Sequence, residues 1–229
     1  MASTTTARRG EARLPSALVV AVAIGLYALL PEQLVLGPRL VIPVLELVLL
    51  GALVAVNPHR MTRDNRWVRA AALTLVGLIA VANTAALVLL VRQLVTTGHS
   101  HAVELLIAAG QVWLTNVIAF GLAYWELDRG GPVARTHLPR GQLARADFRF
   151  PQDEDHDTID EVRAGSSKVS DWVPAIVDYL YVSLSNSSAF SPTDTMPLTT
   201  RAKILMGIEA TSALAISVLV IAKGVGSLN

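Results

Sequence analysis

The sequence predicts an all-α polytopic membrane protein with five transmembrane helices and one re-entrant half-helix. Apolar residues make up 52% of the 229 residues, charged residues only 16%, and the mean hydropathy is +0.49. Ordinary soluble domains carry roughly 25% charged residues. Apolar segments near the length that crosses a bilayer also recur along the chain. The alternative prediction is a bundle of six transmembrane helices.

Four apolar segments occupy the first 126 residues, and we predict that each forms a transmembrane helix. The first resembles a signal peptide, but the Pro31-Glu32-Gln33 sequence after it lacks the small residues of a cleavage site. We therefore expect the first helix to be retained. The Asn57-Pro58 pair is a strong stop signal after the second helix. The four segments cover about 16–30, 40–56, 70–95 and 103–125.

The chain divides into four parts on this interpretation. The acidic run DEDHDTIDE, 153–161, is typical of a solvated segment, so the polar connection that contains it is predicted to be partly disordered. The four parts are an N-terminal tail (1–14), a four-helix transmembrane region (15–126), the polar connection (127–170), and a half-helix with the final transmembrane helix (171–229).

The basic residues predict a cytoplasmic N-terminus. Lys and Arg beside short loops favour the cytoplasmic side of a membrane. The N-terminal head has three arginines and the 57–69 loop has four, whereas the 31–40 loop has one and the 96–102 loop has none. All of these loops agree with an N-terminus inside, which makes the polar connection cytoplasmic. Tyr124 and Trp125 are then predicted to anchor the fourth helix at the inner membrane interface.

The segment 172–190 is apolar but interrupted by polar residues, and two arrangements are open. A full crossing would place Asp178 and a cluster of Ser and Asn residues at membrane depth. An aspartate at a helix centre costs about 2.5–3.5 kcal/mol on insertion scales. We therefore favour a re-entrant half-helix that returns the chain to the cytoplasm. A full crossing would instead give six helices and a cytoplasmic C-terminus.

The end of the chain reads DYLYVSLSNSSAFSPTDTMPLTTRAKILMGIEATSALAISVLVIAKG, from Asp178 to Gly224. This stretch resembles the pore region of the tetrameric, potassium-channel-like cation channels. In that family a pore helix, a filter ending in Asp, a Pro and Thr, and an inner helix follow one another. Matching Asp194 to the terminal Asp of the filter brings Pro197 and Thr199 into register. The resemblance implies a pore-loop fold and a homo-oligomer, with a tetramer favoured.

The whole chain also resembles a family of uncharacterised bacterial membrane proteins that carry YWELDRGGP and AFSPTDTMPLT signatures. Both signatures are present here, the first at 124–132 and the second at 189–199. This second resemblance implies a multi-pass protein of the bacterial plasma (inner) membrane. It implies no particular activity.

The filter positions depart from those of a potassium channel. A potassium filter uses glycines at backbone positions with positive φ, so that its carbonyls face one axis. This chain has Ser191 and Thr193 there, with Pro192 between them, and proline fixes φ near −65°. Any selectivity would therefore come from hydroxyls and Asp194, a weakly selective cation site. The predicted pore-lining or ion-binding residues are Ser185, Ser187, Ser188, Ser191, Thr193, Asp194 and Glu209.

Two carboxylates lie inside predicted transmembrane helices, and such groups are functional-site hypotheses in their own right. Glu46 lies in the second helix, where it could carry protons or cations or else face interfacial water. Glu209 lies about two turns into the final helix. It could face the pore or the half-helix, or form an ion pair with Arg201 or Lys203.

These observations favour a channel-like integral membrane protein, a weakly selective cation channel without a potassium filter. One alternative is a non-conducting scaffold or accessory subunit with a degenerate pore-loop fold. Another is a proton- or cation-coupled transporter that uses Glu46 and Glu209. Asn83, Gln111 and Asn116 are predicted to hydrogen-bond between helices.

Composition and motifs also limit the chemistry that we expect. The chain has no cysteine, so it has neither disulfides nor thiolate metal sites. We predict no enzyme, no cofactor and no metal site. The arginine-rich loops are explained by topology and anionic lipid rather than by nucleic acid. The expected partners are the lipid bilayer, further copies of the chain and monovalent cations.

Overall fold

The structure is a computed structural model that describes residues 10–96, 102–153, 160–167, 169–170, 172–188 and 194–226. The chain is mostly helical, at 75% of residues, which confirms the all-α prediction. The predicted pore residues Ser191 and Thr193 lie outside the described residues, as does the middle of the acidic run, 154–159.

The helices follow the apolar segments of the sequence, with bounds that differ from the predicted ones by a few residues. They are α1 (Arg13–Ala28), α2 (Val41–Val56), α3 (Arg66–Thr96), α4 (Ala102–Leu127), α5 (Pro132–His137), α6 (Asp160–Arg163), α7 (Ile176–Ser188) and α8 (Thr200–Gly226). Short 3₁₀ turns lie at Glu32–Leu34, Asp128–Gly130, Arg140–Gln142 and Pro151–Asp153. Two strands, β1 (Phe148–Arg149) and β2 (Met196–Pro197), pair antiparallel.

Three helical spans are long and apolar enough to cross a membrane. They are Arg66–Thr96, Val103–Gly130 and Thr200–Gly224, with 31, 28 and 25 residues. A hydrocarbon core about 30 Å thick needs about 20 helical residues. The helices α1 and α2 are apolar but have only 16 residues each, or about 24 Å. The chain is therefore a membrane protein by the length and composition of its helices, and the count of five crossings stays a prediction.

The helix α4 is the centre of the bundle, because it packs against α1, α3, α7 and α8. Its inner face is buried, and small residues such as Ala108 and Ala109 are wholly inaccessible to solvent. At mid-length, the Nδ2–H group of Asn83 in α3 donates to Oδ1 of Asn116 in α4, with 3.3 Å between the two atoms. This contact confirms the predicted hydrogen bond between helices.

The contact between α4 and α7 depends on Gly121. A Cβ atom at this position would lie 2.8 Å from Cδ2 and 3.2 Å from Cα of Leu180. The glycine therefore lets the backbone of α7 approach α4 closely, as small residues do between membrane helices.

The helix α7 runs antiparallel to α4. Near its start, the Tyr179 hydroxyl contacts Asp128, just beyond the end of α4. One turn further along, the Ser183 hydroxyl donates to the carbonyl of Val117, three turns back inside α4, with 2.7 Å between the oxygens. The half-helix thus begins at the end of the bundle where α4 ends.

The helix α8 begins at the same end as α7. Arg201 in its first turn lies 3.3 Å from the carbonyl oxygen of Leu127, the last residue of α4. Glu209, two turns later, contacts Tyr124 inside α4. The strand pair of β1 and β2 lies at this end too, since β2 directly precedes α8. The chain between α7 and α8 therefore returns to the end from which α7 started.

The N-terminal segment and the α2–α3 loop join this same end of the bundle. Ala12 and Arg60 form an antiparallel bridge. The amide of Arg13 donates to the carbonyl of His59, with 3.0 Å between the atoms. The arginine-rich segments are thus gathered at one end of the molecule.

The turn after α4 needs backbone conformations that favour glycine. Arg129, Gly130 and Gly131 have φ values of 52°, 86° and 95°. A Cβ atom at Gly131 would lie 2.4 Å from Nη1 of Arg69, which donates to the Gly130 carbonyl at 2.5 Å. The glycine pair therefore makes the sharp turn and leaves room for the Arg69 side chain that holds it.

Candidate functional site

The strongest candidate site is the side chain of Glu209, where α4, α7 and α8 meet. Its side chain is wholly buried, with 0% of the residue exposed. It projects from α8 toward α7 and α4 and contacts residues of both helices. A buried carboxylate in a membrane helix is a costly group, and such groups usually mark ion or proton pathways.

Four neutral groups surround this carboxylate. The Oε2 atom accepts from the Tyr124 hydroxyl at 2.5 Å and from Nδ2–H of Asn186 at 2.6 Å. The Oε1 atom accepts from the Ser187 hydroxyl at 3.1 Å and also contacts the Ser183 hydroxyl. We call these five residues the Glu209 cluster.

The sequence of α7 explains why three cluster residues face the same way. Ser183, Asn186 and Ser187 are spaced three and four residues apart, so they share one face of the helix. Tyr181 and Leu184 lie on the outer face and are exposed. The polar residues of α7 therefore point to Glu209, beside Tyr179 and Val182, which are buried in the core, while Tyr181 and Leu184 point away from the bundle.

The Ser183 hydroxyl has one proton but two acceptors within reach. Its oxygen lies 2.7 Å from the Val117 carbonyl and also contacts Oε1 of Glu209. If the proton goes to Glu209, the carboxylate can be ionised. If it goes to Val117, the Ser183–Glu209 contact needs a proton on Glu209. The cluster can thus accommodate both protonation states of the carboxyl group by rotation of one hydroxyl.

No ion pair to Glu209 is present among the residues that the structure describes. The alternative in which Glu209 pairs with Arg201 is wrong, because that guanidinium forms an ion pair with Asp147. The Asp147 carboxylate also accepts from the Thr199 hydroxyl. The charge of Glu209 is therefore balanced by dipoles and not by a neighbouring cation.

The other predicted pore residues in described parts of the chain lie outside the Glu209 cluster. The Ser188 hydroxyl donates to the Ser185 carbonyl at 3.0 Å, a bond within α7. Asp194 is exposed and lies two residues before β2. Of the predicted set, the structure brings together Ser187 and Glu209.

Glu46 is buried within the bundle. Only 1% of the residue is exposed, and its Oε2 atom has no hydrogen-bond partner in the described part of the chain. The helix α2 that carries it packs against α1 and α3. The alternative in which Glu46 faces interfacial water is therefore wrong.

A second polar network lies at the end of α4, around Asp128. This residue is wholly buried. Its Oδ2 atom accepts from the Tyr179 hydroxyl at 2.5 Å, and Oδ1 accepts from the backbone amide of Asp147 at 2.7 Å. Asp128 thus joins α4 to the start of α7 and to the polar connection.

Arg135 is a further buried charge in this network. Its Nη1 atom donates to the carbonyls of Trp125 and Asp128, at 2.6 and 2.8 Å. Its guanidinium carbon lies 4.9 Å from the centre of the Tyr179 ring, close enough for a cation–π interaction. Nη2 lies 4.0 Å from the carboxylate of Glu11. No local sequence signal predicts the roles of Arg135, Asp128 and Glu11 in this network, because their partners lie on other elements.

Glu11 ties the N-terminal segment to the rest of the network. Its carboxylate accepts from Nε1–H of Trp125 at 3.0 Å and from the amide of Ile176 at 2.9 Å. Burial raises the pKa of Glu11, while the bond from Ile176 and the charge of Arg135 act in the opposite direction. Glu11 therefore fixes the entry to α7 from across the bundle.

The prediction that Tyr124 and Trp125 anchor the fourth helix at the inner membrane interface is wrong. Only 1% and 2% of these residues are exposed, and both polar groups bond to protein carboxylates. Tyr124 and Asp128 are four residues apart, so their side chains lie on the same side of the chain. This spacing is a local signal that Tyr124 faces the bundle. Aromatic residues at a helix end served here as hydrogen-bond donors to buried acids.

No family model, no curated protein sequence and no solved structure matches this chain. The function must therefore follow from the residues of the site.

Proposed function

We propose that this chain is a channel-like integral membrane protein that passes protons or other monovalent cations, with Glu209 as the binding group. One observation carries the proposal: the Glu209 carboxylate is buried among hydroxyl and amide groups, without an ion pair in the described residues. A cation is the natural counter-charge for such a group. Intramembrane carboxylates of this kind commonly bind protons or cations in transport.

A re-entrant α7 would bring the polar face of the half-helix into the membrane without crossing it. The helix has 13 residues and so a length of about 20 Å, which is less than the roughly 30 Å of hydrocarbon. Its start lies at the same end as the start of α8. Both features support the five-helix arrangement. The distribution of arginines among the loops supports a cytoplasmic N-terminus, and the resemblance of the chain to bacterial membrane proteins supports a bacterial plasma membrane.

The chemistry of the cluster suits a small cation. Proton uptake and release need only the rotation of the Ser183 hydroxyl between Val117 and Glu209. A metal cation such as Na⁺ would instead meet carboxylate and hydroxyl oxygens, the ligands that hard cations prefer. The cluster has no soft ligand, because the chain has no cysteine.

A homo-oligomer, with four copies favoured, would provide a pore beside the cluster. The span of α8 has only 17% of its most apolar window buried, so most of its surface is open to lipid or to another copy. Ile208, Leu214 and Ile221 are exposed on it. Asp194 is exposed as well, so copies of this residue could line a shared entrance.

The test is cation flux into liposomes that contain the full-length protein. Glu209→Gln keeps the shape of the side chain but removes the exchangeable charge. We expect it to lower the flux at least about tenfold, as expected for loss of one charge-assisted interaction. Glu32→Gln, a change at an exposed loop carboxylate, is the matched control and should leave the flux unchanged. Equal flux through Glu209→Gln and the wild-type protein would exclude the site.

Dyes that report pH, Na⁺ and K⁺ in the same liposomes identify the cation. Asp194→Ala is the second variant, because Asp194 is the charged residue of the loop that resembles a channel filter. Reduced flux in this variant would support a shared pore. Unchanged flux in Asp194→Ala, with loss in Glu209→Gln, would place the path within each subunit.

A non-conducting scaffold or accessory subunit is the second candidate. One observation favours it: the four groups around Glu209 join α8 to both α4 and α7, as expected for a structural contact that holds α7. This candidate predicts no flux through the wild-type protein and a large loss of stability in Glu209→Gln. A coupled transporter, the third candidate, would additionally need Glu46, and Glu46→Gln would then abolish uptake.

A further inference from the structure

We propose that the cavity between the polar connection and the start of α7 binds a phosphate group. The cavity has a volume of about 270 Å³. Arg129, Arg135 and Arg140 line it together with Asp153 and Trp172. The cavity lies at the end of the bundle where α4 ends, away from Glu209.

The charges in the wall favour an anion. Three guanidinium groups and one carboxylate line the cavity. Asp153 and Asp128 lie against Arg129, and Glu11 lies 4.0 Å from Arg135, so Arg140 is the lining arginine with no ion pair to a described carboxylate. Arginine presents planar pairs of N–H donors that match the oxygens of a phosphate group.

Arg140 is the accessible arginine, and its position is fixed. The Nη2 atom donates to the carbonyls of Ser167 at 2.9 Å and Trp172 at 3.2 Å. Nη1 lies 3.2 Å from the Ser167 hydroxyl oxygen. These bonds hold the guanidinium at the wall of the cavity before any ligand arrives, which lowers the entropic cost of binding.

The other two arginines supply charge from deeper positions. Arg135 is wholly buried, so it acts through its field and not through direct contact. Arg129 is half-buried and forms an ion pair with Asp153, so that carboxylate offsets part of the positive charge that Arg129 brings to the cavity. The arrangement thus offers one exposed guanidinium, that of Arg140, beside two deeper arginines that have carboxylate neighbours.

The volume and the position of the cavity limit which ligands it can bind. Pockets for drug-sized molecules are about 300–1,000 Å³, so this cavity suits a smaller group. Basic pockets at the cytoplasmic ends of membrane helices bind phosphate-bearing lipid head groups. The shared chemistry is a phosphate group, carried either by an anionic phospholipid or by a soluble ion.

Trp172 provides the readout. It lines the cavity and packs on Phe150, with 5.5 Å between the ring centres. We would titrate the full-length protein in a neutral detergent with inorganic phosphate and, separately, with short-chain phosphatidylglycerol. Short-chain phosphatidylcholine is the zwitterionic control. Saturable changes in the tryptophan fluorescence of the protein, absent from a Trp172→Phe variant, report binding.

Arg140→Gln should weaken binding about tenfold, as expected for loss of one charge-assisted contact. Arg145→Gln, an exposed arginine of the same connection that does not line the cavity, should leave the affinity unchanged. Saturation by phosphate identifies a soluble ligand, and saturation by phosphatidylglycerol alone identifies a lipid head group. Saturation by neither, or equal losses in the two variants, would overturn the proposal.

A second variant guards against misfolding of Arg140→Gln. Ala144 lies in the wall of the cavity and is exposed, so Ala144→Phe fills the space without adding a tryptophan, while every arginine remains. Binding should be lost in this variant, and unchanged affinity would also overturn the proposal. The cation-flux result is separate, because neither Arg140 nor Ala144 contacts the Glu209 cluster in the structure.

Discussion

Glu209 accepts hydrogen bonds from neutral groups, so dipoles and not a counter-ion must stabilise its charge. Removal of a carboxylate from water costs several kcal/mol even after the protein relaxes. Short hydrogen bonds to an ionised acceptor recover part of that cost, because they are about twice as strong as neutral ones. We therefore expect the hydrogen bonds that Tyr124 and Asn186 donate to Glu209 to contribute more to the free energy of unfolding than hydrogen bonds at exposed positions of the chain.

The Tyr124→Phe variant tests this expectation by removing a single oxygen atom. The change removes the hydroxyl that lies 2.5 Å from Oε2 of Glu209 and keeps the ring, which packs on Phe148. We expect a loss of about 1.5–3 kcal/mol in the free energy of unfolding, the usual worth of a hydrogen bond to a charged group. Denaturant titration in detergent measures it.

Tyr181→Phe is the matched control, because Tyr181 lies on the outer face of α7 and is 66% exposed. This variant should unfold like the wild-type protein. Equal stability of the two tyrosine variants would contradict the assigned bond between Tyr124 and Glu209.

The half-helix α7 is held by two kinds of contact at the scale of elements. Polar groups join it to α8 through Glu209 and to the end of α4 through Asp128. The close approach at Gly121 joins it to the middle of α4. A short helix cannot bury enough apolar surface to stand alone, so these contacts determine its position.

Two glycines of α4 give a matched test of that packing. Gly121→Ala places a Cβ atom 3.2 Å from the backbone of Leu180, so α7 must shift, at a cost of about 1–3 kcal/mol for overpacking. Gly110→Ala meets no atom within 4 Å, and the better helix propensity of alanine should stabilise by about 0.5–1 kcal/mol. Thermal unfolding should therefore shift in opposite directions. A stabilised Gly121→Ala variant would contradict the close contact.

The topology of the whole molecule depends on whether α7 enters and leaves the membrane at one side. The chain has no cysteine, so a single introduced cysteine reports its own side without background. Met196 and Gln142 are exposed at the end of the bundle where α4 ends, and Glu32 is exposed in the α1–α2 loop at the other.

Met196→Cys, Gln142→Cys and Glu32→Cys in oriented membrane vesicles settle the arrangement. With a re-entrant α7, a membrane-impermeant maleimide should label the cysteines at 196 and 142 from the same side, and the one at 32 from the opposite side. Labelling of the cysteines at 196 and 32 from a common side would instead support six crossings. The result is independent of any flux measurement.

The helices themselves were predictable because their signals are local. Apolar length set the positions of α3, α4 and α8. The proline in the loop after α7 was enough to exclude a potassium filter. These conclusions need only neighbouring residues, so no knowledge of packing entered them.

The partners of the buried charges were not predictable, because they depend on which helices meet. Tyr124 and Glu209 are 85 residues apart, and Asp128 and Tyr179 are 51 apart. Tyr124 was predicted at the membrane surface, since an aromatic residue at a helix end looks the same locally whether it faces lipid or protein. The class of the apolar segments thus came from chemistry along the chain. The Glu209 cluster and the arginine-lined cavity depend on how the helices pack. Their residues are close in space but far apart in sequence, so sequence spacing does not reveal the hydrogen bonds and ion pairs between them.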